Sequence, residues 1–329
     1  METKLLDFTT ENLALAGQII KDGGLVAFPT ETVYGLGANA LDEEAVKSIF
    51  IAKGRPSDNP LIVHIANKED IYKVARTVSK DAQKIIDDVM PNSITIVLPK
   101  KDTVPDIVTA GMDTVGIRMP KSLEARLFIT ACNTPIAAPS ANTSSRPSPT
   151  NYSDVYEDMS GKISAILMGE PCQVGIESTV LDLTGDEPLI LRPGIITASY
   201  LSNVLGKTVK VLTDPTSKVN SPGVRYKHYA PKCPMILNRD GNSDKLTQFY
   251  NDCVSQGYNP VLLVQNPRNY IGFNTYSLGE TDQDVARNLF SALRSCERQY
   301  NYIIASYVSV TELSESILNR LVRSCGGRL

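Results

Sequence analysis

Apolar residues along the chain fall into short runs that alternate between two periods. LVAFPT (25–30), LIVHIA (61–66), ITIVLPK (94–100), VGIRMP (115–120) and PIAAPS (135–140) are brief, β-branched and bounded by Gly or Pro, the pattern of strands. Between them the apolar positions recur at helical spacing. Thr10 is the expected cap of a helix over 11–22 that Gly23 and Gly24 stop, and Asp42 caps a second, DEEAVKSIFIAK, ended by Gly54. Helical stretches follow over 68–89 and in LEARLFITAC, and ISAILMG, STVLDL and LILRP carry the strand pattern on to Arg192. Strands alternating with helices predict an α/β sheet domain.

The pattern breaks near residue 213. TDPTSKVNSPGVRYKHYAPK is rich in Pro, Ser, Lys and Tyr with little periodic apolar content, which reads as a linker. Its aromatic and basic residues are unlike a flexible spacer, which favours Gly and Ser. Beyond it PMILN, a helix near 244–256, PVLLV, a helix near 282–299, YIIAS and a helix near 311–323 predict a second, smaller α/β domain. The expected division is therefore 1–212, a linker 213–232 and a terminal domain 233–329, with no internal repeat.

Composition narrows the function. The chain has 329 residues, 42% hydrophobic and 21% charged, and a formal net charge of -3. A protein whose main task is to grip nucleic acid usually shows a basic excess. The six cysteines (132, 172, 233, 253, 296 and 325) form no CxxC and lie at no zinc-ligand spacing, which predicts reduced thiols in a cytoplasmic protein. METKLLDFTT lacks the apolar core of a signal peptide, and no run is long enough to span a bilayer.

Candidate chemistry sits at predicted loops and strand ends. In KGRPSDNPLIVHI (53–65) two prolines stiffen a loop that carries Lys53 and Arg55, and His64 interrupts the strand behind it. PTETVYGLGANA (29–40) offers the hydroxyls of Thr30, Thr32 and Tyr34, with Gly35 and Gly37 permitting close backbone approach. It is neither a Walker A nor a GxGxxG loop. PSANTSSRPSPT (139–150) follows an apolar strand, where open α/β sheets place ligands. GIESTVLDL adds Ser178 and Thr179, and LRPG adds Arg192. Arg118 lies inside an apolar frame, and a buried arginine needs an anion, either a ligand or one of the chain's carboxylates. Lys53, Arg55, Arg118, Arg146 and Arg192 with hydroxyls beside several of them suit a polyanion such as a triphosphate. No Ser-His-Asp set and no exposed cysteine beside a base point to a covalent intermediate.

PTETVYGLGANA, KGRPSDNPLIVHI, VGIRMP, PSANTSSRPSPT, ESTVLDL, LRPG and SPGVRYKHYAPK, in that order, resemble the threonylcarbamoyl-AMP synthases in their long, two-domain form. The likeness covers essentially the whole chain. It is looser in ARNLFSALRSCERQYNYIIAS and LNRLVRSCGG, and SVTELSESI departs from the glycine-containing version expected there.

The resemblance implies an α/β protein: a YrdC-like twisted open mixed sheet with flanking helices, plus a smaller Rossmann-like C-terminal domain. It implies a nucleotidyltransferase that makes threonylcarbamoyl-AMP and pyrophosphate from L-threonine, bicarbonate or CO2, and ATP with Mg2+. Downstream transferase proteins would then modify the adenosine beside the anticodon of certain tRNAs. The family's Lys-x-Arg and Ser-x-Asn signature falls on Lys53, Arg55, Ser140 and Asn142. Threonine would be held by Thr32, His64, Arg118, Ala138 and Ser178, and ATP by Arg55, Asn59, Thr114, Ser140, Ser148, Arg192 and His228. The linker, with Tyr226, Lys227, His228 and Tyr229, would be a lid. No carboxylate stands out as a magnesium anchor. The competing readings are an RNA-binding module of the same fold and a related transferase that handles carbamoyl-adenylates. Chains of the second kind usually carry acylphosphatase and zinc-finger modules, which have no counterpart here.

Overall fold

Side-chain alternation on short strands organises the first unit of the molecule. The computed structural model describes residues 2–212 and 228–326; Tyr226 and Lys227 of the expected lid lie outside the described residues. The chain divides into two compact units, one of Met1–Ser144, Pro149–Gln173 and Glu177–Arg225, the other of Ser145–Ser148, Val174–Ile176 and Tyr226–Leu329.

In the first unit, eleven strands among the described residues form one mixed sheet. From edge to edge they are Lys4–Asp7, Ala165–Met168, Val26–Phe28, Gly35–Asn39, Ile136–Ala137, Ile62–His64, Thr114–Arg118, Ile94–Pro99, Thr179–Asp182, Leu189–Arg192 and Lys210–Val211. Both faces are apolar over much of its width. Val26, Phe28, Ile136, Ala165 and Leu167 join one core cluster, while their neighbours Leu25, Ala27, Ala137 and Ile166 join the other. Successive residues of a strand point to opposite faces, so each strand feeds both cores.

Two differences from the sequence expectation have plain causes. The first helix, Thr10–Lys21, is capped by Thr9 rather than Thr10, because the Thr9 hydroxyl accepts from Asn12 N. PTETVYGLGANA contains a strand, Gly35–Asn39, paired antiparallel with Val26–Phe28. Its two glycines accommodate a ring: a Cβ on Gly35 would lie 3.1 Å from the Phe28 ring, and one on Gly37 2.8 Å from Ile136 Cγ2.

The second unit is a Rossmann-like α/β layer. Its four strands, ordered Met235–Asn238, Tyr302–Ser306, Pro260–Val264 and Thr275–Ser277, are all parallel. Helices Ser243–Ser255, Asp282–Gln299 and Glu312–Ser324 accompany them. Among the described residues no helix is long and apolar enough to cross a membrane.

Helix Thr10–Lys21 packs closely on helix Leu123–Cys132, where a Cβ on Gly17 would come within 2.5 Å of Ala131 O. Alanine at a helix interior is intrinsically favoured over glycine by about 0.8–1.0 kcal/mol. Overpacking against a backbone carbonyl costs about 1–3 kcal/mol. Gly17→Ala is therefore expected to destabilise by about 1–2 kcal/mol in denaturant titration; a stabilised variant would show that the helices are free to part.

Candidate active site

Strand registers across the middle of the large sheet give two rows of side chains. Val63 pairs with Ile117, Ile117 with Ile96, Ile96 with Leu181 and Leu181 with Ile190, and all five belong to the larger core. One residue along, His64 pairs with Arg118, Thr95 with Val180, and Val180 with Arg192. A register shift between Ile190 and Arg192 brings Arg192 level with Val180, the kind of irregularity that re-aims a side chain. The sheet thus turns one face to a core and sets a histidine, two arginines and a hydroxyl on the other.

Arg118 is 4% exposed. Its Nη2 donates to Glu31 Oε1 at 2.6 Å and lies 3.5 Å from Thr30 Oγ1. Its Nε is buried with no hydrogen-bond partner. Glu31 receives four donors: Arg118 Nη2 and Ser93 Oγ on one oxygen, and the backbone N–H groups of Lys121 and Ser122 on the other. Ser122 caps helix Leu123–Cys132, so that oxygen lies at a helix N-terminus. Burial alone would raise the Glu31 pKa, but the charge and hydrogen bond of Arg118, with Ser93, hold it below the usual carboxylate range. The turn carrying Glu31 is fixed by Thr30, whose hydroxyl donates to Val33 O at 2.7 Å and lies 2.9 Å from the Thr32 hydroxyl.

His64 is buried edge-on to Phe28, with ring centroids 5.9 Å apart. Its Nδ1 lies 3.2 Å from Ile62 O. A carbonyl can only accept, so that nitrogen carries the proton of the neutral ring. Burial first, and then the Arg118 charge, push the His64 pKa down to about 3. Ser178 is wholly buried, its hydroxyl 2.8 Å from that of Thr95. Arg192 donates through Nε and Nη2 to Ser178 O at 3.1 and 2.9 Å, and through Nη2 to Ser178 Oγ at 3.2 Å. The LRPG turn needs its glycine, since a Cβ on Gly194 would meet Thr179 N at 2.4 Å.

Lys53 ends helix Glu43–Lys53, and Gly54 caps it in the left-handed region. The Lys53 side chain is 2% exposed and donates to the carbonyls of Ser140 and Asn142, both at 2.5 Å. Ser144 N in turn donates to Lys53 O. The Ser140 hydroxyl donates to Asn142 Oδ1 at 2.5 Å, so the Ser-x-Asn loop is closed on itself and stapled by the lysine. Arg55 donates to the carbonyls of Asn59 and Pro60 at 3.4 and 3.3 Å, holding the proline-stiffened loop. Ala138 N donates to Ile62 O, putting Ala138 beside the strand of His64, and Thr114 opens the strand that ends at Arg118.

The registers and hydrogen bonds thus gather Thr32, His64, Arg118, Ala138 and Ser178 with Arg192 about one sheet face, and link Lys53, Ser140 and Asn142. Ser148 and His228 lie in segments of the second unit. Arg146 also belongs there and is paired with Glu297 through both guanidinium ends, at 2.8 and 2.5 Å. The Tyr34 hydroxyl is spent on the backbone of Gly169. Burial raises the thiols of Cys132 and Cys172 to about 12, unsuited to nucleophilic work. Among the described residues no three or more His, Cys, Asp or Glu gather to hold a metal. Glu31, Ser93 and Thr95 are the parts that sequence reasoning missed.

The family profile described as "Telomere recombination" matches residues 18–194, and that described as "Threonylcarbamoyl-AMP synthase, C-terminal domain" matches 196–326. A threonylcarbamoyl-AMP synthase of Pyrococcus abyssi is 41% identical over 323 residues, covering 96% of this chain and 95% of its own. One of Bacillus subtilis is 39% identical over 345 residues, covering 100% and 99%. A crystal structure of a Pyrococcus abyssi protein complexed with L-threonine superposes with a TM-score of 0.93 at 39% identity, covering 100% of this chain and 98% of that one.

The depressed His64 pKa has a consequence for stability. An unfolded chain binds a proton at His64 below the ordinary value of 6.5, whereas the folded chain does so only near 3. Its contribution is fully present above pH 6.5 and is lost as pH falls toward 3, by up to about 1.4 kcal/mol per unit. Glu31 adds a loss in the same direction below its ordinary 4.5. Unfolding free energy should therefore fall between pH 6.5 and 4.5, and His64→Gln should flatten that slope. Equal slopes in the two proteins would show that His64 is protonated in the fold.

Proposed function

The chain belongs to the threonylcarbamoyl-AMP synthase family of nucleotidyltransferases, and on that premise we propose that the face carrying His64 and Arg118 joins L-threonine, bicarbonate or CO2, and ATP into threonylcarbamoyl-AMP. One observation carries the amino-acid half of this reading: Arg118 is buried, yet its Nε has no partner. A buried donor left unmade costs about 1–3 kcal/mol, and a substrate carboxylate would satisfy it. Around it Thr32, Ser178 and the Ala138 backbone supply further polar groups. His64, kept neutral, accepts from the substrate through its unprotonated nitrogen rather than repelling the ammonium with a charge.

ATP is assigned to the residues that the resemblance implies, Arg55, Asn59, Thr114, Ser140, Ser148, Arg192 and His228. Lys53 acts by fixing the carbonyls of Ser140 and Asn142, and so the loop that meets the nucleotide. Magnesium would come with ATP and would supply charge that offsets the phosphates. The threonine amine adds to CO2 and loses a proton, giving a carbamate. A carbamate oxygen attacks the α-phosphorus in line, the bond to the β-phosphate oxygen breaks, and pyrophosphate leaves with that oxygen. Such a transfer needs mainly positioning and charge stabilisation. Residues 1–212 are the catalytic domain in this reading and 233–329 the terminal domain. The product passes to cytoplasmic transferases that modify tRNA.

Pyrophosphate release from ATP should depend on both L-threonine and bicarbonate, with serine and valine as poor substitutes. Lys53→Met, which keeps the apolar stem and loses the staple, should lower kcat/KM by about 100-fold or more. Release that ignores threonine would overturn the substrate assignment.

A further inference from the structure

We propose that Glu31 is a positioning residue for the amino-acid substrate, acting through Arg118; this rests on the reading of Arg118 as the carboxylate clamp. The orientation of a guanidinium matters because its donors form a rigid planar fork. Arg118 is held through Nη2, on Glu31 Oε1 at 2.6 Å and more loosely on Thr30 Oγ1 at 3.5 Å, while its Nε remains for the ligand. Glu31 is fixed from both ends. Oε1 also accepts from Ser93 Oγ at 3.0 Å, and Oε2 from Lys121 N at 3.1 Å and Ser122 N at 3.3 Å. The direction of the unused Nε–H is thus referred, through one carboxylate, to strand Ile94–Pro99 beside Ser93 and to the start of helix Leu123–Cys132.

Only an ionised carboxylate of this length meets that donor set. A carboxylate accepts at both oxygens, whereas a glutamine amide accepts at one end and donates at the other. With its oxygen toward Arg118, the amide N–H groups of Glu31→Gln would face the N–H groups of Lys121 and Ser122. Flipped, they would face the Arg118 fork. Aspartate is one methylene short of spanning the gap. Sharing Arg118 between the chain's carboxylate and the substrate's leaves the pair without excess buried positive charge in the empty site, which an unpaired arginine would carry at high cost.

The test is steady-state kinetics on the full chain. Glu31→Gln is expected to raise the KM for L-threonine about 10-fold, with kcat within about 3-fold and the KM for ATP unchanged. On an Arg118→Ala background the same substitution should add no further rise, because its effect runs through Arg118. A purely structural role would instead lower the melting temperature and kcat together at constant threonine KM, and that result overturns the inference. Arg118→Ala without effect on the threonine KM sinks the clamp reading itself. Arg118→Ala with a raised KM beside an unaffected Glu31→Gln sinks the positioning role alone. Should Glu31→Gln fail to fold, Ser93→Ala removes one of the same four donors. It should raise the threonine KM about 3-fold, again without moving that of ATP, and an unchanged threonine KM there overturns the proposal.

Discussion

The ion pair between Arg118 and Glu31 is the constraint around which the first unit is arranged. Both side chains are almost wholly buried. Removing one member of such a pair typically costs about 3–5 kcal/mol, because the other is left charged in a poor solvent. The fold meets that demand with elements distant in sequence: the turn after strand Val26–Phe28 brings Glu31, strand Thr114–Arg118 brings Arg118, and the cap of helix Leu123–Cys132 brings two backbone donors. Each holds the next in place. Burial, and then the charge of Arg118, keep the nearby His64 ring neutral against the opposing charge of Glu31.

A second fixed point stands apart from the first. Lys53 spends its ammonium on two carbonyls of one loop, although a lysine at a helix end is ordinarily solvated. Taking that charge out of water is tolerable because the carbonyls replace the lost hydration. The return is a Ser-x-Asn loop whose hydroxyl and amide are already joined. Binding groups held before the ligand arrives lose less freedom when it does. The KGRPSDNP stretch therefore has two tasks, with Lys53 turned inward as a staple and Arg55 bracing the loop after Gly54.

Much of this was legible in the sequence, and the rest was hidden for identifiable reasons. Local signals worked: Asp42 and Gly54 bound their helix as their chemistry requires, and the β-branched runs became strands. GLGAN hid a strand because glycine lowers strand propensity, and its reason for being there, the Phe28 ring, is a contact across the hairpin. Glu31 stands in PTETVYGLGANA, where hydroxyls and glycines are the evident chemistry. Nothing local marks it as buried, since its side-chain partners and two backbone donors lie between Ser93 and Ser122. Arg118 was readable as needing an anion, but not as having both a chain carboxylate and a donor to spare. Of the five cations read as one group, Arg146 has a partner, Glu297, that no local pattern announces, because it lies 151 residues further along the chain.

The most direct test of the account compares the binding of L-threonine and L-threoninol, which differ only in the carboxylate, by calorimetry on the intact chain. If Arg118 clamps the substrate, threoninol should bind about 100-fold more weakly or not at all, the loss expected for a charged hydrogen bond left unmade in a buried site. Equal affinities would contradict the account, for they would mean that the buried arginine serves the fold and the substrate is held elsewhere.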